Sequence, residues 1–159
     1  MKYPDSVILI FSKAPIVGEV KTRLIPFITA EQAAELHEEL THDRLYKCAT
    51  ADICDVQLWC SPDTQHPFFD ECKQRYGVQL YSQSGVDLGD RMSSAIKIML
   101  GQYKKIIIIG TDAPALDVDS IDAVINELER RDIVLVPAED GGYVLLAAST
   151  CHEDLLIDV

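Results

Sequence analysis

Two short apolar runs, Val7-Ile8-Leu9-Ile10-Phe11 and Ile106-Ile107-Ile108-Ile109, constrain the fold more than any other feature of this chain. Both are rich in β-branched residues and lack in-out alternation, so each is predicted to be a strand buried on both faces of a parallel sheet. Parallel neighbours need long crossovers, and helical patterns stand between the candidate strands. Thr29-Ala30-Glu31-Gln32 fits a capping box opening a helix that runs to about Ala51. Asp55 to Cys60 reads as strand, Pro67 to Tyr76 as a short helix, and Val78 to Gln83 as an alternating strand. Met92, Ala95, Ile96, Met99 and Leu100 form one apolar stripe of the next helix, which precedes the strand Lys104 to Ile109. Asp117 is placed to cap a helix with the stripe Val118, Ile121, Val124, Ile125 and Leu128, and strands at 133–136 and 143–148 follow. This alternation predicts the α/β class: a three-layer α/β/α sandwich around a mostly parallel central sheet with right-handed crossovers.

At 159 residues and 48% hydrophobic content, the chain is expected to form a single domain over 1–159 with a real core. The N-terminal apolar run stops after five residues, too short for a signal sequence or a membrane span, so a soluble, cytoplasmic protein is expected. A formal charge of -12 argues against nucleic acid or an anionic membrane as partner, and it names no other protein. Cys48, Cys54, Cys60, Cys72 and Cys151 are odd in number and lack C-x-x-C spacing, so they are read as reduced, mostly buried thiols. His37, His42, His66 and His152 show no metal-ligand spacing and are read as surface or packing residues.

Against this acidity, the loop after the first strand gathers Lys13, Lys21 and Arg23, with Pro15 and Gly18 shaping its turn. Ligands bind at the carboxyl ends of parallel strands, and Arg and Lys there suit phosphate oxygens. The spacing is not that of a Walker A loop, and G-x-G-x-x-G is absent from the chain. The alternative is that the three cations balance local acids on a solvated loop. The second buried run ends at Gly110-Thr111-Asp112-Ala113-Pro114, where Asp112 suits a Mg²⁺ shared with substrate phosphates, or else caps the following turn. In Glu139-Asp140-Gly141-Gly142-Tyr143 the glycines permit a path bringing Asp140 to the site, with the Tyr143 hydroxyl available to a ligand; Asp-Gly-Gly also reads as a plain hairpin turn. In Gln83-Ser84-Gly85-Val86-Asp87-Leu88-Gly89-Asp90-Arg91, Gln83 can pair with a base edge, glycine permits close approach of a flat ring, and Arg91 can reach phosphate, while Asp87 or Asp90 serves equally as a helix cap.

Taken in order, these segments resemble the bacterial rSAM/selenodomain-associated transferase 1 family, long carried as a domain of unknown function and grouped with GT-A-like glycosyltransferases. The resemblance rests on Lys13, Pro15, Gly18 and Lys21-Thr22-Arg23-Leu24, on Asp87-Leu88-Gly89 with Arg91-Met92, on Gly110-Thr111-Asp112 with Pro114, and on Pro137-Ala138 with Asp140-Gly141-Gly142-Tyr143. It implies a nucleotide-diphospho-sugar transferase (GT-A-like) fold, related more distantly to sugar nucleotidyltransferases and phospholactate guanylyltransferase. On that resemblance Lys21 and Arg23 bind the diphosphate, Asp112 holds Mg²⁺ or Mn²⁺, Gln83 and Gly89 face the base, and Asp140 and Tyr143, with Gly141 and Gly142, lie on the acceptor or sugar side. Family members continue beyond Leu155-Leu156-Ile157-Asp158-Val159, so the family's C-terminal stretch is expected to be lacking here. The expected function is metal-dependent transfer from a nucleotide-activated sugar. The alternatives are nucleotidyl transfer with release of pyrophosphate from a nucleoside triphosphate, and nucleotide binding without catalysis.

Overall fold

The computed structural model describes residues 1–139 and 142–151. Among them six strands form one sheet in the order β3-β2-β1-β4-β6-β5: β1 Ser6–Lys13, β2 Asp55–Ser61, β3 Gln79–Ser82, β4 Lys105–Ile109, β5 Ile133–Pro137 and β6 Tyr143–Ala148. The first four run parallel, and β6 pairs antiparallel with both β4 and β5. The mostly parallel α/β sandwich expected from the sequence is therefore the fold.

The helices are α1 Ala30–Ala51, α2 Pro67–Tyr76, α3 Leu88–Met99 and α4 Val118–Glu127. Thr29 accepts from the Gln32 amide and Gln32 Oε1 from the Thr29 amide, completing the capping box. Asp87 caps α3 by accepting from Asp90 N at 2.8 Å, and Asp117 caps α4 by accepting from Ser120 N at 2.8 Å. These caps satisfy amides that have no partner within a helix, which is why the boundaries fall where they do.

The core has two layers because alternate residues of each buried strand face opposite sides. Ile8, Ile10, Ile107 and Ile109 pack with Leu45, Phe69 and Ile125 under α1, α2 and α4. Val7, Leu9, Phe11, Ile106 and Ile108 pack with Met92, Ile96 and Met99 of α3 on the other face. Trp59 stacks between Phe11 and Tyr81, with ring centroids 6.2 and 4.9 Å away. Cys48, Cys54, Cys60 and Cys72 are buried free thiols and Cys151 is half-buried, as the cysteine pattern predicts. His37 is buried, His42 and His66 are half-buried packing residues, and His152 lies outside the described residues. Among the described residues no helix is long and apolar enough to cross a membrane.

Candidate functional site

Because β1 to β4 are parallel, their carboxyl ends share one edge, and β6 runs back so that it starts there. The registers Cys60↔Ser82, Lys13↔Ser61, Ile10↔Ile109 and Ile109↔Leu145 align the ends of all these strands. All four motifs of the sequence thus open onto a single edge.

The first loop leaves β1 at Lys13, whose carbonyl accepts from His37 Nε2 at 2.7 Å. Gly18 turns at φ 87°, and Lys21 takes the left-handed conformation at φ 53°, ψ 36°, as the cap of a 3-10 turn over Thr22–Leu24. A non-glycine residue there is uncommon, and such positions concentrate at functional sites. The bend brings the Lys21 ammonium back across 91 residues of sequence to donate to Asp112 Oδ1. Lys21 is 14% exposed and Asp112 78% exposed, so the pair leaves most of the carboxylate facing solvent. Arg23 stands exposed on the 3-10 turn, and its side chain is not part of that pair. The carboxylate of Asp112, read alternatively as a turn cap, instead takes a side-chain ammonium from the other loop.

At the β2-β3 end, Gln83 Nε2 donates to the Trp59 carbonyl at 2.9 Å, and the Gln83 amide donates to the Cys60 carbonyl at 2.8 Å. The amide nitrogen that the sequence offered to a base edge is engaged with the sheet, and this orients the side-chain carbonyl. Arg91 Nε donates to the Gly85 carbonyl at 3.2 Å and Nη1 approaches Ser61 Oγ at 3.4 Å, so the guanidinium sits at the β2 end. Gly89 is buried in the first turn of α3. Tyr143 begins β6, half exposed. The Ala138 amide donates to the Gly142 carbonyl at 2.8 Å, closing the β5-β6 connection as the hairpin that Asp-Gly-Gly also allowed. Asp140 and Gly141 lie outside the described residues.

A cavity of about 570 Å³ opens on the α3 side of the same edge, walled by Phe11, Leu88 and Met92, with Gly110, Asp112 and Tyr143 at its polar part. Gly142 also lines it, whereas Lys13, Gly18, Lys21, Arg23, Gln83, Gly89 and Arg91 do not. The motif residues therefore fall into two groups, a polar ledge along β1-β2-β3 and a largely apolar hollow by β4 and β6. Asp112 joins them, lining the hollow and pairing with the ledge's Lys21.

Among the described residues no group of three or more His, Cys, Asp or Glu gathers as a metal cage. The solvent-facing Asp112 carboxylate, paired with Lys21, is of a kind that fits Mg²⁺ or Mn²⁺, ions commonly held by one or two carboxylates and substrate phosphates. Sequence reading missed Arg44, which is 1% exposed in α1 and donates to the carbonyls of Ala113 and Leu116 behind Asp112. Its signal was a charged residue among the buried positions Ala33, Ala34, His37, Thr41, Leu45 and Cys48, spaced for one helix face.

Among known proteins, the chain is similar to the 2-phospho-L-lactate guanylyltransferase of Methanobrevibacter smithii, 24% identical over 129 residues, which are 78% of this chain and 54% of that protein. It thus spans about half the length of the curated relative it matches. A solved structure from Desulfovibrio desulfuricans G20, described as a candidate nucleotide-diphospho-sugar transferase, matches with a TM-score of 0.86 and 29% identity over 98% of this chain and 69% of that one. A cytidylyltransferase from Leptospira borgpetersenii matches with a TM-score of 0.60 and 14% identity over 98% of this chain and 63% of that one, a likeness of fold alone. The fold is that of nucleotidyl and glycosyl transferases, and the relatives are transferases. Residues 44–159 match a family model, so this chain belongs to the family described as "uncharacterized protein conserved in bacteria", DUF2064.

Proposed function

We propose that the protein is a nucleotide-dependent transferase whose donor phosphates lie between the first loop and the end of β4. The observation that carries this reading is the Lys21-Asp112 ion pair, which joins the one cation-rich loop motif to the carboxylate that ends the second buried strand. In this reading Lys21 and Arg23 donate to the diphosphate oxygens, with Lys13, Gly18 and Arg91 completing the anion's surroundings. The Gln83 side-chain carbonyl and Gly89 face the base, and Asp140, Gly141, Gly142 and Tyr143 border the acceptor or sugar. Asp112 would hold Mg²⁺ or Mn²⁺, which draws charge from the phosphoryl oxygens when bound. Fixed cations that stabilise charge on a departing phosphate group are a form of electrostatic catalysis.

Glycosyl transfer from a nucleotide-activated sugar and nucleotidyl transfer from a triphosphate use the same cations. The Desulfovibrio structure favours the first and the Methanobrevibacter guanylyltransferase the second. Thermal unfolding against nucleoside diphosphates, triphosphates and diphospho-sugars, each with and without Mn²⁺, tests the reading. A ligand at about 100 times its Kd stabilises the fold by about 2.7 kcal/mol. The expected result is a shift needing both metal and one nucleotide, lost in Asp112→Ala with the apo fold retained. Turnover then separates the chemistries, since pyrophosphate marks nucleotidyl transfer and a nucleoside diphosphate marks glycosyl transfer. Binding without turnover of any donor supports the non-catalytic alternative, and no shift with any ligand overturns the site.

A further inference from the structure

We infer that Arg44 is the positioning residue for Asp112, acting from inside the core through the backbone of the loop that carries it; the functional half of this inference rests on the reading above. The Arg44 guanidinium is 1% exposed and makes no ion pair with a carboxylate among the described residues. Its Nη1 donates to the Leu116 carbonyl at 2.8 Å, its Nη2 donates to the Ala113 carbonyl, and its Nε has no partner. One turn along α1, Lys47 Nζ donates to the Pro114 carbonyl at 3.1 Å while pairing with Asp43 at 2.9 Å. Three carbonyls of the segment between Asp112 and the cap of α4 are thus held by two cations of one helix.

A buried charge without a counter-ion is costly, and an apolar side chain of similar volume is often the more stable choice in a core. What the guanidinium adds is a planar fork whose donors are fixed relative to one another, so two carbonyls are held at a set separation and angle. Ala113 is the residue next to Asp112, and fixing its carbonyl fixes the Ala113–Pro114 peptide plane, one residue beyond Asp112. On the other side, Thr111 is buried directly after Gly110. Asp112 is therefore a solvent-facing carboxylate followed by a backbone held at Ala113, Pro114 and Leu116. A loop held this way presents its carboxylate to Lys21, or to a ligand, without first paying to order itself.

Arg44→Lys keeps the charge and removes the fork, since one ammonium cannot span both carbonyls in the guanidinium's geometry. Hydrogen-deuterium exchange of the Leu116 amide, which donates to the Ala113 carbonyl that Arg44 holds, and the Kd for Mn²⁺ with whichever nucleotide gives the metal-dependent thermal shift are measured side by side, with Asp112→Asn as the reference for loss of the site. The expected result is exchange at least about tenfold faster, confined to that loop, and nucleotide affinity at least about tenfold weaker, with protection elsewhere unchanged. Unchanged loop exchange overturns the inference whatever the site does. A loosened loop with unchanged nucleotide affinity also overturns it, because Arg44 would then serve the fold alone. Should Arg44→Lys fail to fold, Lys47→Ala at the partly exposed end of the same clamp is read for both quantities, with a smaller change in the same direction expected and none overturning the inference. A wild-type chain that binds no nucleotide at all refutes the proposed function, and loop exchange alone then decides whether Arg44 holds the Asp112 segment.

Discussion

Replacing Gly85 with alanine tests the geometry of the α3 entrance. Gly85 sits at φ 148°, a backbone region that side chains rarely enter, and its added Cβ would lie 2.7 Å from Arg91 N, 2.7 Å from Asp90 Cβ and 2.9 Å from Asp90 C. Two of those three atoms are backbone of the first turn of α3, so no rotamer change relieves the contact. Backbone strain of about 1–3 kcal/mol and overpacking of about 1–3 kcal/mol add to a destabilisation of about 2–6 kcal/mol. Gly18→Ala is the control: its φ is 87°, but nothing lies within 4 Å of the new Cβ, so only the conformational cost of about 1–2 kcal/mol remains. Urea and thermal melts of both variants measure the difference, each kcal/mol lowering the midpoint by about 2–4 °C in a chain of this size. The Gly85 carbonyl also accepts from Arg91 Nε, so Gly85→Ala should weaken nucleotide binding as well as the fold. If Gly85→Ala melts no lower than Gly18→Ala, the steric reasoning fails.

Two further outcomes follow from buried titratable groups. Burial lowers the His37 pKa below its ordinary value, with nearby Lys21 and Lys13 lowering it further and Asp112 and the hydrogen bond to the Lys13 carbonyl opposing. Above about pH 6.5 the ring is neutral folded and unfolded; below it the unfolded chain binds the proton first, so stability falls as pH drops from there toward the folded pKa. Urea midpoints at pH 7.5 and 5.5 should show a smaller loss in His37→Gln than in the wild type, and equal losses would remove His37 from the account. Burial also pushes the Cys48 thiol to about 11 and those of Cys54, Cys60 and Cys72 to about 12. At pH 8 their thiolate fraction is about one in a thousand or less, so iodoacetamide should leave all four unmodified until the chain unfolds, as peptide mass spectrometry would reveal. Prompt modification of any of the four in the native chain would contradict its burial.

The elements were legible because their signals are local. Two β-branched runs without alternation can lie only where both faces are covered, and Thr29, Asp87 and Asp117 each stand where a helix needs an acceptor for its free amides. The direction of β6 was less legible, since Asp-Gly-Gly suits both a ligand loop and a hairpin. What decides it is pairing with β4 and β5, a contact no local signal encodes. The site was legible as a set of strand ends but not as contacts. That Lys21 reaches Asp112 depends on a left-handed residue at Lys21, a position usually given to glycine or asparagine, so the sequence offers no marker for the bend. Gln83 shows the converse: its donor and acceptor are plain in the sequence, but the Trp59 carbonyl that takes its nitrogen is supplied by a strand 24 residues away.

The proposed anion site has to be reconciled with a chain charge of -12, and the ion pair bears on how. Screening at physiological ionic strength limits the reach of surface charge to about 8 Å, so the local arrangement outweighs the total. While Lys21 is paired with Asp112, the two largely cancel, and the exposed Lys13 and Arg23 remain as cations of the same loop. A phosphate that draws the Lys21 ammonium to itself leaves the Asp112 carboxylate without its partner, directly beside new negative charge. That arrangement is favourable only if a further cation arrives with the phosphate, so nucleotide and divalent metal must raise one another's affinity by the same factor. In the proposed reading Lys21 would be both a phosphate ligand and the occupant of the carboxylate until a nucleotide comes. Its placement on an inward-bent, left-handed turn brings it to Asp112, and in the proposed reading would let one side chain serve both partners.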